Sequence, residues 1–215
     1  MQAGEGRFRG VRHINARHEA FNASLLGRPP ADLFQQTGFR RGLAALQAAG
    51  LSFDAWLYHT QITQLTDLAR AMPQLPIVLN HVGGPLGVGP YHAQGARAHR
   101  EWRAAMKELA TCPNVLLKLG GLAMAICGFD FHRRAVPPSS QELATAWAPY
   151  LQDGIELFGA ERCMFESNFP VDKAMCSYAV LWNAFKRVAA GASASEKASL
   201  FHDTANRFYR LGLPS

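Results

Sequence analysis

The sequence predicts an α/β fold built on a parallel sheet. Two observations carry that expectation and a third narrows it. Short apolar strands alternate with amphipathic helices at roughly 20–40-residue spacing, the rhythm of repeated βα units. The strand segments are continuous apolar runs, Pro76-Ile77-Val78-Leu79 being the clearest, which suits parallel strands covered on both faces. Neither Gly-x-Gly-x-x-Gly nor Gly-x-x-x-x-Gly-Lys-Ser/Thr occurs, so the phosphate-binding turns of open nucleotide-binding sheets are missing.

Taken in order, Phe8 to Ile14 reads as a strand. Thr37 to Ala49 carries Phe39, Leu43 and Leu46 at helical spacing, and Gly50 stops it. Phe53 to His59 is the second strand, and Gln64 to Met72 is a helix that Pro73 ends. Pro76 to Val82 is the third strand, followed by Gly83-Gly84-Pro85. Ala96 to Ala110 is helical, and Val115 to Leu119 is a strand that stops at Gly120-Gly121. Residues 122–138 are irregular, with a short strand expected near Ile126 to Phe131. Ser139-Ser140-Gln141-Glu142 is a capping box opening a helix to about Phe158. The strand Cys163 to Ser167 follows, then a helix from Lys173 to Ala190. A second capping box, Ser193-Ala194-Ser195-Glu196, opens a last helix to about Leu211.

The 215 residues suffice for one domain with a sizeable core, and no interdomain linker or repeat interrupts 1–215. The net charge of +6 is spread over amphipathic helices instead of gathered in a patch, which argues against a nucleic-acid partner. No apolar run is long enough to span a bilayer, and the first seven residues hold no apolar leader core. Cys112, Cys127, Cys163 and Cys176 show no Cys-x-x-Cys spacing, so free thiols and a cytoplasmic location are expected.

Three strands end in polar residues followed by a turn: at His59, at Asn80-His81 and at Asn168-Phe169-Pro170. A fourth carries Lys118 near its end. Polar side chains at strand C-termini are what the active face of a (β/α) barrel looks like. Leu79-Asn80-His81-Val82-Gly83 resembles Leu-Asp-His-Leu-Gly, a fifth-strand signature of the amidohydrolase superfamily, in its branch of TIM-barrel lactonases and related hydrolases. Lys118-Leu119-Gly120-Gly121-Leu122 resembles its sixth-strand Lys-Leu-Ser-Gly-Leu, and Arg9-Gly10-Val11-Arg12 its third-strand Arg-Gly-Ile-Arg. Phe165-Glu166-Ser167-Asn168-Phe169-Pro170 resembles its last-strand Phe-Gly-Ser-Asp-Trp-Pro. The four segments stand in family order, and the resemblance runs from residue 7 to about 211.

The resemblance implies a (β/α)8 TIM-barrel hydrolase. The reaction it implies is attack of an activated water on a cyclic ester (lactone) or a related C–O or C–N bond, in a small anionic or sugar-derived molecule. His81 matches the strand-five histidine that binds metal or substrate in relatives. Arg12, His59 and Lys118 are the substrate-binding candidates, guanidinium offering a two-pronged hold on a carboxylate or carbonyl. For Arg12, His59 and Lys118 a structural ion pair or packing role stands beside that reading.

The sequence departs from the family at one decisive place. Where relatives carry the Asp that binds metal or activates water, this chain has Asn168, and an amide deprotonates nothing. Where relatives carry Gly, it has Glu166. Strand alternation puts Met164, Glu166 and Asn168 on one face, with Glu166 roughly 6–7 Å deeper. Glu166 is therefore expected to supply the displaced carboxylate, with its pKa raised by burial. Its alternative is a structural pair with Lys118 or Arg12, and Asp172 is a second candidate carboxylate. A divalent ion such as zinc would be held by His81 if one is bound, but His-x-His occurs nowhere, so metal-free hydrolysis stays open.

A full barrel needs eight strands and typically about 250 residues. Five strands are clear, and the first resembles the family's third. The expectation is thus a barrel lacking its first two βα units, with an open strand edge that invites self-pairing or a homo-oligomer. Two competing readings follow: a degenerate member that binds a ligand or partner without catalysis, and an aldolase-type barrel using Lys118 as a Schiff base.

Overall fold

A computed structural model describes residues 6–20 and 28–214 of the chain. Among the described residues, five strands form one parallel sheet in sequential order, β1-β2-β3-β4-β5. They are β1 Gly10–Ile14, β2 Ser52–Trp56, β3 Ile77–Leu79, β4 Val115–Leu119 and β5 Cys163–Phe165. Helices α1 (Thr37–Ala48), α2 (Ile62–Ala71), α3 (Gly95–Ala110) and α4 (Ser140–Phe158) each fill one β-to-β crossover. After β5 come α5 (Tyr178–Val188), α6 (Ala194–Ala198) and α7 (Thr204–Tyr209), with one π-helical turn at Ser199–Asp203 joining the last two. Sequential parallel strands with helical crossovers are the build of a (β/α) barrel wall, as the sequence predicts.

Side-chain alternation divides the sheet into two chemistries. One face sends Phe53, Ala55, Ile77, Leu79, Val115, Leu117, Leu119, Cys163 and Phe165 into the main apolar core. Leu65, Leu68, Trp102, Met106, Leu109, Trp147, Leu151 and Phe185 from the helices meet them there. The register pairs Arg12 with Asp54, and Lys118 with Met164, on the opposite face. That face is the barrel interior, and it is where charge collects.

β2 and β3 are buried throughout, whereas the central residues of β1, Val11 to His13, are exposed. Phe8 and Val11 stand 47% and 37% exposed beside that edge, so the open side of the sheet is apolar as well as unpaired.

Three local expectations need correction. No strand forms near Ile126 to Phe131; two single 3-10 turns, Ala125–Cys127 and Phe131–Arg133, hold this loop against the one after β3 through the Gly87 amide, which donates to Ile126 O at 2.8 Å. The helix expected from Lys173 starts at Tyr178, because Ser177 caps it by accepting from the Val180 amide at 3.3 Å. Residues Val171–Ala174 are a separate 3-10 turn. The last helix stops at Tyr209, two residues short, where Arg210 turns left-handed at φ 52°.

Candidate active site

The site is built from the C-terminal ends of the strands inward. The apolar β3 run ends at Leu79, and the chain then makes an unusual turn. His81, Val82, Gly83 and Gly84 all have positive φ, between 51° and 67°. Left-handed backbone is costly for His and more so for β-branched Val. The turn is held from three sides. Trp102 donates its indole N–H to Val82 O at 2.7 Å, the His59 amide donates to Gly84 O at 3.1 Å, and Glu166 Oε1 accepts the His81 amide at 2.9 Å.

That same Glu166 oxygen lies 2.5 Å from His81 Nδ1. On the other side of the ring, Arg12 Nη2 lies 2.7 Å from Nε2. A guanidinium only donates, so Nε2 is the acceptor and the ring proton sits on Nδ1, directed at Glu166. Trp56 packs its edge on the ring at 4.6 Å between centroids. His81 is thereby fixed in position and tautomer, with both nitrogens engaged. Gly120 and Gly121 make room for the pair. A Cβ on Gly120 would sit 2.6 Å from Glu166 Cγ, and one on Gly121 would sit 2.6 Å from His81 Cβ.

Glu166 Oε2 is the freer oxygen, with Lys118 Nζ at 4.0 Å. Lys118 is bound more closely to Asp54, at 2.7 Å from Oδ2. The same Asp54 oxygen also accepts from Asn80 Nδ2 at 3.1 Å and from the Tyr209 hydroxyl at 2.8 Å. Two cations and two carboxylates thus form one chain through His81, Arg12–His81–Glu166–Lys118–Asp54, across three strands and the ends of two others. His81 is almost sealed at 3% side-chain exposure, while Glu166 and Lys118 keep 16% and 18% and Arg12 is exposed, so water reaches the cluster at these three groups.

Burial pushes the Glu166 carboxyl up, but the hydrogen bonds it accepts from the His81 ring and amide, together with the nearby Lys118 ammonium, hold it below the usual carboxylate range. The raised pKa expected from burial alone is therefore overturned: Glu166 is ionised at neutral pH.

Asn168 lies apart from this chain. The strand ends at Phe165, and Asn168 turns left-handed at φ 51°, so the alternation that would place it above Glu166 is broken. Its Nδ2 donates to Asp172 Oδ1 at 2.7 Å. Asp172 is fully buried, its Oδ2 has no partner, and burial pushes its carboxyl up to about 7. His59 is also separate. It is buried, accepts the Leu86 amide on Nδ1 at 3.1 Å, and stacks edge-on to Tyr91 at 4.7 Å, 3.9 Å from Glu101. Burial depresses it to about 4, so it is a neutral loop anchor.

The described residues do not make a metal cradle. No group of three or more His, Cys, Asp or Glu side chains converges among them. The nitrogen of His81 that would face an ion is covered by the Arg12 guanidinium, and Asn168 is turned to Asp172.

The chain as a whole is similar to known proteins. The amidohydrolase family model matches residues 2–211. The chain belongs to the amidohydrolase family. It is 39% identical over 204 residues to the uncharacterized protein y4mH of Sinorhizobium fredii, covering 95% of this chain and 61% of that protein. It is 30% identical over 178 residues to an L-fucono-1,5-lactonase of Burkholderia multivorans, covering 82% of this chain and 57% of the enzyme. The crystal structure of an amidohydrolase from Burkholderia multivorans with bound HEPES superposes with a TM-score of 0.81 at 27% identity, over 99% of this chain and 68% of that one. The chain thus spans about three-fifths of the length of these curated relatives, and its fold is that of an amidohydrolase barrel over the shared part.

Sequence reasoning brought His81, Glu166, Asn168, Arg12, His59 and Lys118 to one site; His81, Glu166, Arg12 and Lys118 do meet, and Asn168 and His59 lie apart from them. It missed Asp54, Asn80 as a polar partner, and Tyr209. For Asp54 a signal existed, since a lone acid inside Phe53-Asp54-Ala55-Trp56 has to face inward to a partner. Tyr209 carried none, because its place is set by the packing of α7.

Proposed function

We propose that this amidohydrolase-family chain hydrolyses a small lactone, or a related cyclic C–O or C–N bond, with Glu166 as the base that activates water. The observation that supports this most directly is the division of labour in the Glu166 carboxylate. Oε1 is held by His81 through ring and amide, and Oε2 is left facing the accessible interior beside Lys118. In this reading a water at Oε2 gives up its proton to the carboxylate and attacks the substrate carbonyl; the ring bond from that carbonyl to its oxygen or nitrogen then breaks, and the leaving atom takes the proton back from Glu166. Lys118 and Arg12 then offer N–H groups to the oxygen that gains charge, and their fixed partners keep them from reorganising during the step. The lactonase among the relatives supports the choice of ester over other bonds. Sugar-derived lactones, neutral or anionic, are the substrates to try first. The four cysteines among the described residues are free thiols, which supports the cytoplasm as the working compartment.

The test is a panel of sugar lactones assayed with the wild-type chain and with Glu166→Gln. Loss of a general base costs about 10²–10⁴-fold in rate, so the variant should fall at least a hundredfold while keeping its fold. Because Glu166 is held low, the wild-type rate should stay level through neutral pH and drop only as acid protonates it. Undiminished turnover in Glu166→Gln ends the assignment. A second reading, a ligand-binding member without catalysis, draws on Asn168 standing where relatives have Asp and being tied to Asp172. It leads if the whole panel reacts no faster than in buffer.

A further inference from the structure

The strands and the turns that follow them supply every member of the charged chain, but one side chain that touches it comes from elsewhere. Tyr209 comes from the last turn of α7, far along the sequence, and reaches Asp54 in the middle of β2. Its hydroxyl donates to Asp54 Oδ2 at 2.8 Å, and Lys118 Nζ lies over its ring at 5.3 Å from the centroid. The tyrosine therefore touches both halves of the Asp54–Lys118 pair, one by hydrogen bond and one through the face of its π-system.

The helix that carries it is fastened independently of the site. Thr204 Oγ1 donates to Ala160 O and Glu161 O at 3.4 Å and 3.3 Å. Arg207 Nη2 donates to Glu161 O at 2.5 Å. Arg9 Nε and Nη2 donate to Arg210 O at 3.3 Å and 3.1 Å, tying the residue after Tyr209 to the start of β1. The phenol is thus delivered to the interior by anchors on both flanks, and Tyr209 is not free to follow Asp54 if the carboxylate moves.

We propose that Tyr209 is a positioning residue of the active site: by holding Asp54 and underlying Lys118, it keeps the Lys118 ammonium aimed at the free oxygen of Glu166. The three donors on Asp54 Oδ2 approach from different elements, Asn80 after β3, Lys118 in β4 and Tyr209 in α7, and together leave that oxygen no alternative orientation. Removing the phenol hydroxyl releases one of the three and lets the carboxylate rotate, taking Lys118 with it. Burial, then the charge and hydrogen bond of Asp54, push the phenol up, so it remains a donor throughout the neutral range. The catalytic part of this inference rests on the hydrolase reading, and the positioning part does not.

The experiment is Tyr209→Phe, which removes one oxygen and keeps the ring. Lys118 is followed by ¹⁵N-detected NMR of its ammonium, visible only when the group is ordered, alongside thermal melting and lactone turnover. The exposed Tyr178→Phe is the control, since Tyr178 touches none of these groups. The expected result is an unchanged cooperative melt, loss of the Lys118 signal, and kcat lowered about tenfold with KM within twofold, the scale of one charge-assisted hydrogen bond. Asp54→Asn should lose the same signal. An undisturbed Lys118 signal in Tyr209→Phe overturns the proposal. So does a signal lost only together with the cooperative melt, which would make Tyr209 a packing residue. If the wild-type chain turns over no lactone yet Tyr209→Phe loses the Lys118 signal with an intact melt, the positioning contact stands and the hydrolase reading falls.

Discussion

Asn168 shows how one substitution redirects a site. The last-strand motif that this segment resembles has an Asp at this position, and an Asp here would face Asp172 at the 2.7 Å now spanned by an amide hydrogen bond. Two carboxyl groups at that distance cannot both ionise. Asp172 already holds its proton up to about 7 through burial, with the Asn168 bond lowering it. Asn168→Asp therefore replaces the relieving donor with a like charge. The variant should match the wild type in stability near pH 5, where the pair keeps a proton. It should lose about 1–3 kcal/mol at pH 8, where the unfolded chain ionises both carboxyls but the folded pair must hold a proton or bear two adjacent charges. Urea melts at the two pH values check this, and an equal loss at both would mean that the cost is steric. The family resemblance made the missing carboxylate legible in the sequence. It could not show that Asn168 already has a partner, because the partner depends on a left-handed turn that breaks strand alternation.

Among the elements, the turn after β3 does the most to shape the site, and it is the least legible. The strands were readable because buried parallel strands are apolar runs, and the helices because their apolar spacing and capping boxes are local. The left-handed run from His81 to Gly84 follows from neither. Its Gly83-Gly84 pair marks a turn, but the handedness at His81 and Val82 is imposed by Glu166, Trp102 and His59 from three other elements. The loop after β4 completes the fit. Gly121, at φ 70°, packs its backbone against the His81 side chain. Gly121→Ala would add a methyl 2.6 Å from His81 Cβ and 2.7 Å from Cγ, in a backbone region that Ala avoids. Overpacking of this kind costs about 1–3 kcal/mol. The melting temperature should fall accordingly, and the His81 ring signals should shift as the ring leaves Glu166. A stable variant with unmoved His81 signals would show that the two loops are less tightly fitted than this geometry requires. The irregular stretch 122–138 escaped reading for the same reason: its 3-10 turns are shaped by contact with the loop after β3, as in the Gly87–Ile126 hydrogen bond, and not by any local period.

Across the whole molecule, two buried titratable groups pin the loops at the barrel mouth and pull its pH response in opposite directions. His59 fastens the end of β2 to the loop after β3 through the Leu86 amide, and burial lowers it from 6.5 to about 4. Asp172 fastens the turn after β5 to Asn168 and to the Ala123 amide of the loop after β4, and burial raises it from 3.8 to about 7. The unfolded chain takes up the His59 proton first as pH falls, so His59 contributes stability that is complete above 6.5 and lost on the way down to about 4. The folded chain keeps the Asp172 proton longer as pH rises, so Asp172 contributes stability that is complete below 3.8 and lost on the way up to about 7. Between these limits each acts with a slope of at most about 1.4 kcal/mol per pH unit, and the two slopes have opposite signs. They should largely cancel in the wild type. Asp172→Asn leaves His59 unopposed, so its stability relative to wild type should climb from pH 4.5 to 6.5. His59→Gln, which keeps an acceptor for the Leu86 amide, leaves Asp172 unopposed, and its relative stability should fall over the same range. The double variant should run parallel to the wild type. Denaturant titrations of the four proteins at three pH values decide the matter. Parallel lines for all four would mean that neither group changes its proton affinity on folding, and that the mouth of the barrel is held by its hydrogen bonds alone.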